Sequence, residues 1–201
     1  MAACPPQPDC FLFGRHVQIR PLRVADLPEM AAWEPHTDPL LRMYNLQFDS
    51  AANWRRWLAR RSEQRWLYGI RSLEGVLIGH LSLRQLDPPR SARLGITLAA
   101  GHLGRGYGTD AVRIFLDYYF GGLGFEVMRL DVSGANIRAR RLYRRLGFRQ
   151  LGSFWQVASR AEDWSSVEDR QRLRHYRQGQ VRYFEMRLRA SGWQRIRGSL
   201  E

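Results

Sequence analysis

His102-Leu103-Gly104-Arg105-Gly106-Tyr107-Gly108-Thr109-Asp110 is the stretch on which the reading of this 201-residue chain turns. Upstream, Leu94-Gly95-Ile96-Thr97-Leu98-Ala99 is apolar at nearly every position and reads as a strand. Downstream, the residues from Ala111 to Phe120 repeat apolar side chains at helical spacing. Glycines at alternate positions therefore fall on a strand-to-helix turn. Glycine lets the backbone bend freely and lets a ligand approach the main chain. The first turn of a helix offers unpaired N–H groups and the positive end of the helix dipole, which suits a phosphate. The same pattern serves a plain tight connection equally well. It matches neither Gly-x-Gly-x-x-Gly nor a loop ending in Gly-Lys-Ser/Thr, because the chain contains no lysine. Its meaning depends on the rest of the chain.

A chain of this length fits one domain with a real core. Hydrophobic content of 44% and aromatic content of 12% mark it as globular rather than disordered. No apolar run reaches the length of a membrane span, since the best candidate is cut by Arg113 and Asp117. The N-terminus lacks a basic region followed by an apolar stretch, so a cytoplasmic protein is the expectation. Cys4 and Cys10 lie in a Pro-rich tail and suggest neither a disulfide framework nor a metal site. Basic residues outnumber acidic ones by 32 to 19, a formal charge of +13. Such a surface attracts nucleic acid, an anionic cofactor or a membrane face. No zinc-finger spacing, basic-zipper pattern or RNA-binding aromatic signature accompanies it.

Residues 1–13 read as a flexible tail, 14–193 as the domain and 194–201 as a second tail. His16 to Arg20 alternates as a first strand should. Asp26 is placed to cap a short helix with Pro28 in its first turn. Residues 34–48 read as a loop broken by a turn. Asp49 or Ser50 then starts a helix to Ser62, with Trp54, Trp57 and Leu58 on its inner face. Strands at 66–70 and 76–83 flank a Glu74-Gly75 turn, and a further strand follows at 93–99. After the central helix, Gly121-Gly122-Leu123-Gly124 ends it. A strand at 127–132 precedes an Arg-rich helix from Asn136 to Leu146. Phe148 to Gly152 begins another strand, residues 153–179 are polar and partly helical, and Val181 to Leu188 alternates as the last strand. The order predicts one α/β domain.

With both halves in view, Gly104 to Thr109 followed by Asn136-Ile137-Arg138-Ala139-Arg140-Arg141-Leu142-Tyr143-Arg144-Arg145-Leu146-Gly147-Phe148 resembles the GNAT superfamily of acyl-CoA N-acyltransferases. Gly14 to Leu22 with Asp26, and Gln178 to Leu188 with Trp193, resemble the branch related to ribosomal-protein N-terminal acetyltransferases. The likeness covers roughly residues 14–193. It implies an α/β GNAT-like fold: a mixed, mostly antiparallel central sheet with splayed strands, flanked by helices. It implies acetyl-CoA as co-substrate, no metal, an amine acceptor and, since relatives often pair, a homodimer. By the resemblance, the amides of Gly104, Arg105, Gly106, Tyr107, Gly108 and Thr109 hold the pyrophosphate. The main chain of Ile96 and Leu98 pairs with the pantetheine arm, and Asn136 contacts that arm through its side chain. Tyr143 donates a proton to the leaving thiolate. Trp33, His36 and Tyr44 line the acceptor side. Two positions depart from the pattern: Leu103 stands where the family has Gln or Arg, and Arg93 where the branch often has an acid.

Transfer to an amine needs a neutral nucleophile and a proton for the departing sulfur. An α-amine, with a pKa near about 8, and a lysine amine, near about 10.4, must both lose a proton. Tyr143 can act as the acid, or simply be a packed helix aromatic. Asp131 lies five residues before Asn136. At that spacing some relatives carry a catalytic carboxylate, but an ordinary strand-end ion pair fits as well. Of the helix arginines, Arg138 and Arg144 are the candidates for the 3′-phosphate of coenzyme A. The cationic surface repels a polycationic acceptor unless acids such as Glu34, Asp38, Glu162, Asp163, Glu168 and Asp169 offset it locally. A second expectation from another class stands beside this one. It is a basic nucleic-acid- or ribosome-binding protein that keeps the fold without turnover.

Overall fold

β2 (Val17–Pro21) buries Val17 and Ile19 and exposes more of the residues between them, as the alternation of its side chains requires. It pairs antiparallel with β1 (Leu12–Phe13), which lies inside the expected tail, and with β3 (Arg65–Ser72). β4 (Leu77–Asp87) and β5 (Ser91–Leu98) continue the antiparallel run. Gly75, in the left-handed region at φ +86°, makes the turn between β3 and β4. β6 (Val127–Ser133) joins β5 in parallel and is paired on its other side with β9 (Gln180–Arg189). β7 (Arg149–Val157) closes the order, and the two-residue β8 (Tyr176–Arg177) also pairs with β9. The sheet is thus mixed and mostly antiparallel, in the order β1-β2-β3-β4-β5-β6-β9-β7.

The computed structural model describes residues 6–45, 50–62 and 65–199. Cys4 and the proposed cap Asp49 lie outside these residues. Of the tail cysteines, Cys10 is a free thiol.

Helices cover both faces of the sheet. α1 (Leu27–Ala31) and α2 (Ala51–Ser62) lie on one. There Leu27, Met30, Trp54 and Leu58 pack against Leu67 and Leu77. α3 (Tyr107–Asp117) lies on the other, burying Ala111, Val112, Phe115 and Leu116 against Ile19, Tyr68, Leu94 and Leu130. β3 serves both layers, with Trp66, Tyr68 and Ile70 turned to α3 and Leu67 to α1 and α2. Each such side chain contributes about 1.5–3 kcal/mol of burial. α4 (Ile137–Arg145) and α6 (Ala190–Ile196) complete the α3 face, where the Trp193 indole donates to Asp117 (2.8 Å). α6 thereby carries ordered chain beyond residue 193.

One local expectation is corrected. Asp26 does not cap α1 through its side chain. Its buried carboxylate accepts from Arg20, Arg71 and the Arg23 N–H, and so ties the β2–α1 corner to β3. The segment 153–179 is partly helical, as its sequence suggests. It finishes β7, passes a 3-10 turn (Trp164–Ser166) and the single-turn α5 (Arg170–Leu173), and returns through β8.

Candidate active site

The glycine turn is built as the sequence requires, with a separate reason at each glycine. Gly104 (φ +79°) and Gly106 (φ +87°) are left-handed, a conformation that other residues adopt at a cost. Gly108 sits in the first turn of α3, where a Cβ would come within 3.3 Å of Leu98 and 3.7 Å of Leu142. Among the described residues, no acceptor meets the N–H groups of Gly104, Arg105, Gly106, Tyr107 or Gly108. These successive amides, at the N-terminus of a helix, form a ready cradle for a pyrophosphate. Thr109 is the exception to the expected set, because its N–H is spent on Gly106 O (3.0 Å).

Beside this cradle the sheet opens. β5 pairs with β6 only from Ser91 to Leu94, opposite Val127 to Leu130, and then continues against β4 alone. Ala99 N–H bonds Ile78 O (2.9 Å), and antiparallel pairing alternates bonded and non-bonded positions. The main-chain groups of Ile96 and Leu98 therefore point away from β4, into the gap that β6 has left. An extended amide-bearing arm can pair there as a strand would.

α4 borders the same gap. Asn136 is its N-cap, with Oδ1 accepting from Ala139 N–H (3.1 Å), which leaves the Nδ2 amide as a donor. Tyr143 follows two turns later, buried to 6% exposure and edge-on to Phe148 at 5.6 Å. Its hydroxyl has no hydrogen-bond partner among the described residues. Burial, with the nearby Tyr44 phenol, pushes its pKa well up, so it stays protonated and able to donate. Arg138 reaches back over the cradle, its Nη1 3.8 Å from where a Gly104 Cβ would stand. Arg144 stands near Arg140, whose guanidinium lies over Phe184. Six residues carry it about 240° around the helix from Arg138.

Trp33, His36 and Tyr44, expected on the acceptor side, line one cavity together with Glu34 and with Ala99 at the end of β5. Asn45 fixes their loop by accepting from His36 N–H (2.7 Å) and donating to His36 O (3.2 Å). Trp33 also donates to Leu77 O (2.8 Å) and stacks on His80, so much of it is packing. His36 is 8% exposed. Burial lowers its pKa, partly offset by the Leu98 carbonyl and by Asp38. It stands at the mouth of the gap and meets Tyr44 edge-on at 6.2 Å.

Asp131, the candidate base, is engaged otherwise. It forms a close ion pair with Arg93 and a second with Arg84 (3.4 Å). Its oxygens are occupied by guanidinium donors rather than turned to an amine, which is the strand-end ion pair the spacing also allowed. Two further groups reach this region: Tyr183, on the alternating strand β9, which the sequence did not single out, and Glu162, whose charge acts on the phenols of Tyr44 and Tyr183. Burial raises the Glu162 pKa, against the Ser159 N–H and the Trp164 indole, which favour its ionised form.

A glycine cradle of free amides beside an opened strand pair is the site of a coenzyme A-dependent acyltransferase. Residues 16–149 match the Acetyltransferase (GNAT) domain. The chain belongs to that family and is an acetyl-CoA-dependent N-acetyltransferase acting on an amine. It is 25% identical over 153 residues to the Bacillus subtilis (strain 168) protein named "Probable N-acetyltransferase YjcK", covering 70% of this chain and 84% of that one. A GCN5-related N-acetyltransferase from Brucella melitensis superposes with a TM-score of 0.71 at 20% identity, over 96% of this chain and 85% of its own. Spermidine N-acetyltransferase from Vibrio cholerae, in complex with CoA and spermine, gives 0.67 at 19% identity, over 89% of this chain and 98% of its own. The expectation of a nucleic-acid-binding scaffold without turnover is set aside in favour of the enzyme. No helix among the described residues is long and apolar enough to cross a membrane.

Proposed function

We propose that the acetyl group passes by direct attack, in a ternary complex, from acetyl-CoA to a primary amine. The acceptor is a protein or peptide α-amine or a small-molecule amine; the likeness to the ribosomal-protein N-terminal branch favours the first. The observation that carries this is the juxtaposition of the free amides of Gly104 to Gly108 with the open main chain of Ile96 and Leu98. In this reading the amides and Arg138 hold the phosphates, and the Asn136 Nδ2 amide steadies the arm. The acetyl thioester supplies the electrophilic carbonyl. Tyr143, kept protonated by burial, places its O–H on the departing sulfur. Asp131 and Arg144 are left out of these roles on the placement described above, and Trp33, His36 and Tyr44 wall the acceptor side.

Thermal unfolding with and without acetyl-CoA tests the reading. At a hundred times its dissociation constant a ligand adds about 2.7 kcal/mol, which in a domain of this size raises the Tm by about 5–11 °C. The measurement is run at low and high salt with duplex DNA as competing ligand. Stabilisation by acetyl-CoA alone, followed by thiol release with an amine, is the expected result. Stabilisation by DNA alone, lost steeply with salt, would overturn it.

A further inference from the structure

Taking a guanidinium out of water is costly unless a counter-charge replaces the solvent. Among the half-buried arginines, Arg20, Arg71, Arg84, Arg93, Arg113 and Arg172 each meet an aspartate. Arg140 of α4 and Arg182 of β9 are half-buried as well, yet no carboxylate of the described residues lies within ion-pair distance of either. Arg187 is half-buried and unpaired too, but strand alternation puts it on the other face of β9, with Glu185.

Arg140 and Arg182 converge on one ring. The Arg140 guanidinium carbon stands 4.5 Å from the Phe184 ring centroid, and that of Arg182 5.2 Å from it. Their hydrogen bonds go to neutral acceptors. Arg140 Nη1 donates to Gly134 O (2.9 Å), and Arg182 donates through Nε (3.1 Å) and Nη2 (2.9 Å) to Ser153 Oγ. Arg144, one turn on from Arg140, adds a third like charge. His175 offers no counter-charge. Its Nε2 lies 3.4 Å from Arg140 Nη1, which can only donate, so the imidazole is the neutral acceptor. Burial, with Arg144 and Arg182 close by, lowers the Arg140 pKa. This side of α4 is not the coenzyme side. Leu142 faces Gly108 and Arg138 faces Gly104, whereas Arg140 lies about 200° around the helix from Arg138.

We propose that Arg140, Arg182 and the Ser153 hydroxyl form a second anion site, for a phosphate monoester, separate from the coenzyme cradle. Each guanidinium keeps N–H groups beyond those already bonded, and Ser153, accepting from Arg182, keeps its O–H to donate. Ser153 is exposed, so the site is open to solvent on the β7 side. Paired guanidinium forks match phosphate oxygens. With Arg144 beside them, they favour a monoester dianion over a carboxylate or a phosphodiester, which carry one charge each. The same arginines hold the turn before α4: Arg140 grips Gly134 O, and Gly134 N–H donates to Arg182 O (2.8 Å). A phosphate bound here would steady the turn that leads to the N-cap Asn136.

The test is calorimetric titration and thermal unfolding of the full chain saturated with acetyl-CoA, so that the cradle is filled, at an ionic strength held constant with sodium chloride. The probes are inorganic phosphate, glycerol 3-phosphate, a phosphoserine tetrapeptide amide and a short single-stranded RNA. Inorganic phosphate and the monoesters are expected to bind and raise the Tm. The tighter of the two esters identifies the source, small metabolite or phosphorylated protein, and either supports the site. Arg182→Gln and Arg140→Gln should each weaken phosphate binding about ten- to hundredfold. Arg140→Lys, which keeps the charge and loses the fork, should lose less than Arg140→Gln. Arg187→Gln should bind phosphate as wild type does, and acetyl-CoA affinity should be unchanged in all four. If Arg140→Gln does not fold, because Gly134 O loses its donor, Arg182→Gln decides. The proposal is overturned if phosphate adds nothing beyond sodium chloride, if Arg182→Gln binds phosphate as tightly as wild type, if Arg187→Gln weakens binding as much, or if the RNA binds and the monoesters do not. Failure of acetyl-CoA to bind overturns the acetyl-transfer reading instead, and the comparison of Arg182→Gln with Arg187→Gln still decides the phosphate site.

Discussion

Replacing Gly106 by alanine separates the shape of the glycine turn from its packing. A Cβ at Gly106 meets nothing within 4 Å, so no collision is involved. What remains is a φ of +87°, which costs an L-residue about 1–2 kcal/mol. At about 2–4 °C per kcal/mol in a domain of this size, the apo protein should melt about 2–8 °C lower. If the turn relaxes to escape that strain, its amides turn away from the phosphates. Losing one hydrogen bond to a charged group costs about 1.5–3 kcal/mol, about a ten- to hundredfold loss of acetyl-CoA affinity. Gly108→Ala is the control. That position is right-handed helix, where alanine gains up to about 1 kcal/mol over glycine. The Leu98 and Leu142 methyls near the new Cβ are flexible ends able to shift. Thermal unfolding and calorimetric titration with acetyl-CoA measure both variants. A Gly106→Ala protein as stable and as tight-binding as wild type, or a Gly108→Ala protein damaged more than it, would refute the role given to the left-handed turn.

Tyr143→Phe should lower kcat by about 10²–10⁴ with acetyl-CoA binding and Tm little changed, since the ring contact with Phe148 survives and the hydroxyl holds no partner among the described residues; a kcat within twofold of wild type contradicts the acid role. Asp131→Asn should keep kcat within a few-fold, because its carboxylate is engaged by Arg93 and Arg84; collapse of kcat with a normal Tm would restore it as the base. Arg138→Ala should weaken acetyl-CoA binding and its salt dependence, and Arg144→Ala should change neither, both read by titration at two salt concentrations. His36 has a folded pKa below its unfolded value of 6.5, so the unfolded chain binds the extra proton first as pH drops. Stability should therefore decline as pH falls below that value and through the folded pKa, and His36→Gln should show a shallower decline in Tm over that window. An unaltered slope would mean that His36 is not held neutral by its surroundings.

What the sequence made legible was local. The apolar run at Leu94–Ala99, the glycines that follow and the amphipathic residues from Ala111 onward each carry their signal within a few neighbours, so strand, turn and helix were readable. The Glu74-Gly75 turn and the inner face of α2 were readable for the same reason. β7 was traced only as far as Gly152, because nearly all of its side chains are exposed at the sheet edge and no alternation marks it. The ion pair of Asp131 with Arg93 joins residues 38 positions apart, brought together by register between strands, and no local pattern announces such a meeting. Asp26 was misread as a cap because cap residues are recognised by position, whereas its partners Arg20 and Arg71 come from strands. Of the site, the cradle and α4 were legible from spacing, and the acceptor wall depended on how residues 158–167 return to the loop at 38–44.

The short seam between β5 and β6 has a mechanical consequence. Residues 91–94 against 127–130 are the strand pairing that joins the β1–β5 part of the sheet to the β6–β9 part. A sheet so nearly divided need not open as one unit. Amides on the free flank of β5, at Ile96 and Leu98, should exchange with solvent faster in the ligand-free protein than those bonded to β4. A ligand bound in the gap would act as a missing rung between the two halves. It would slow that exchange and merge their unfolding into a single, sharper transition.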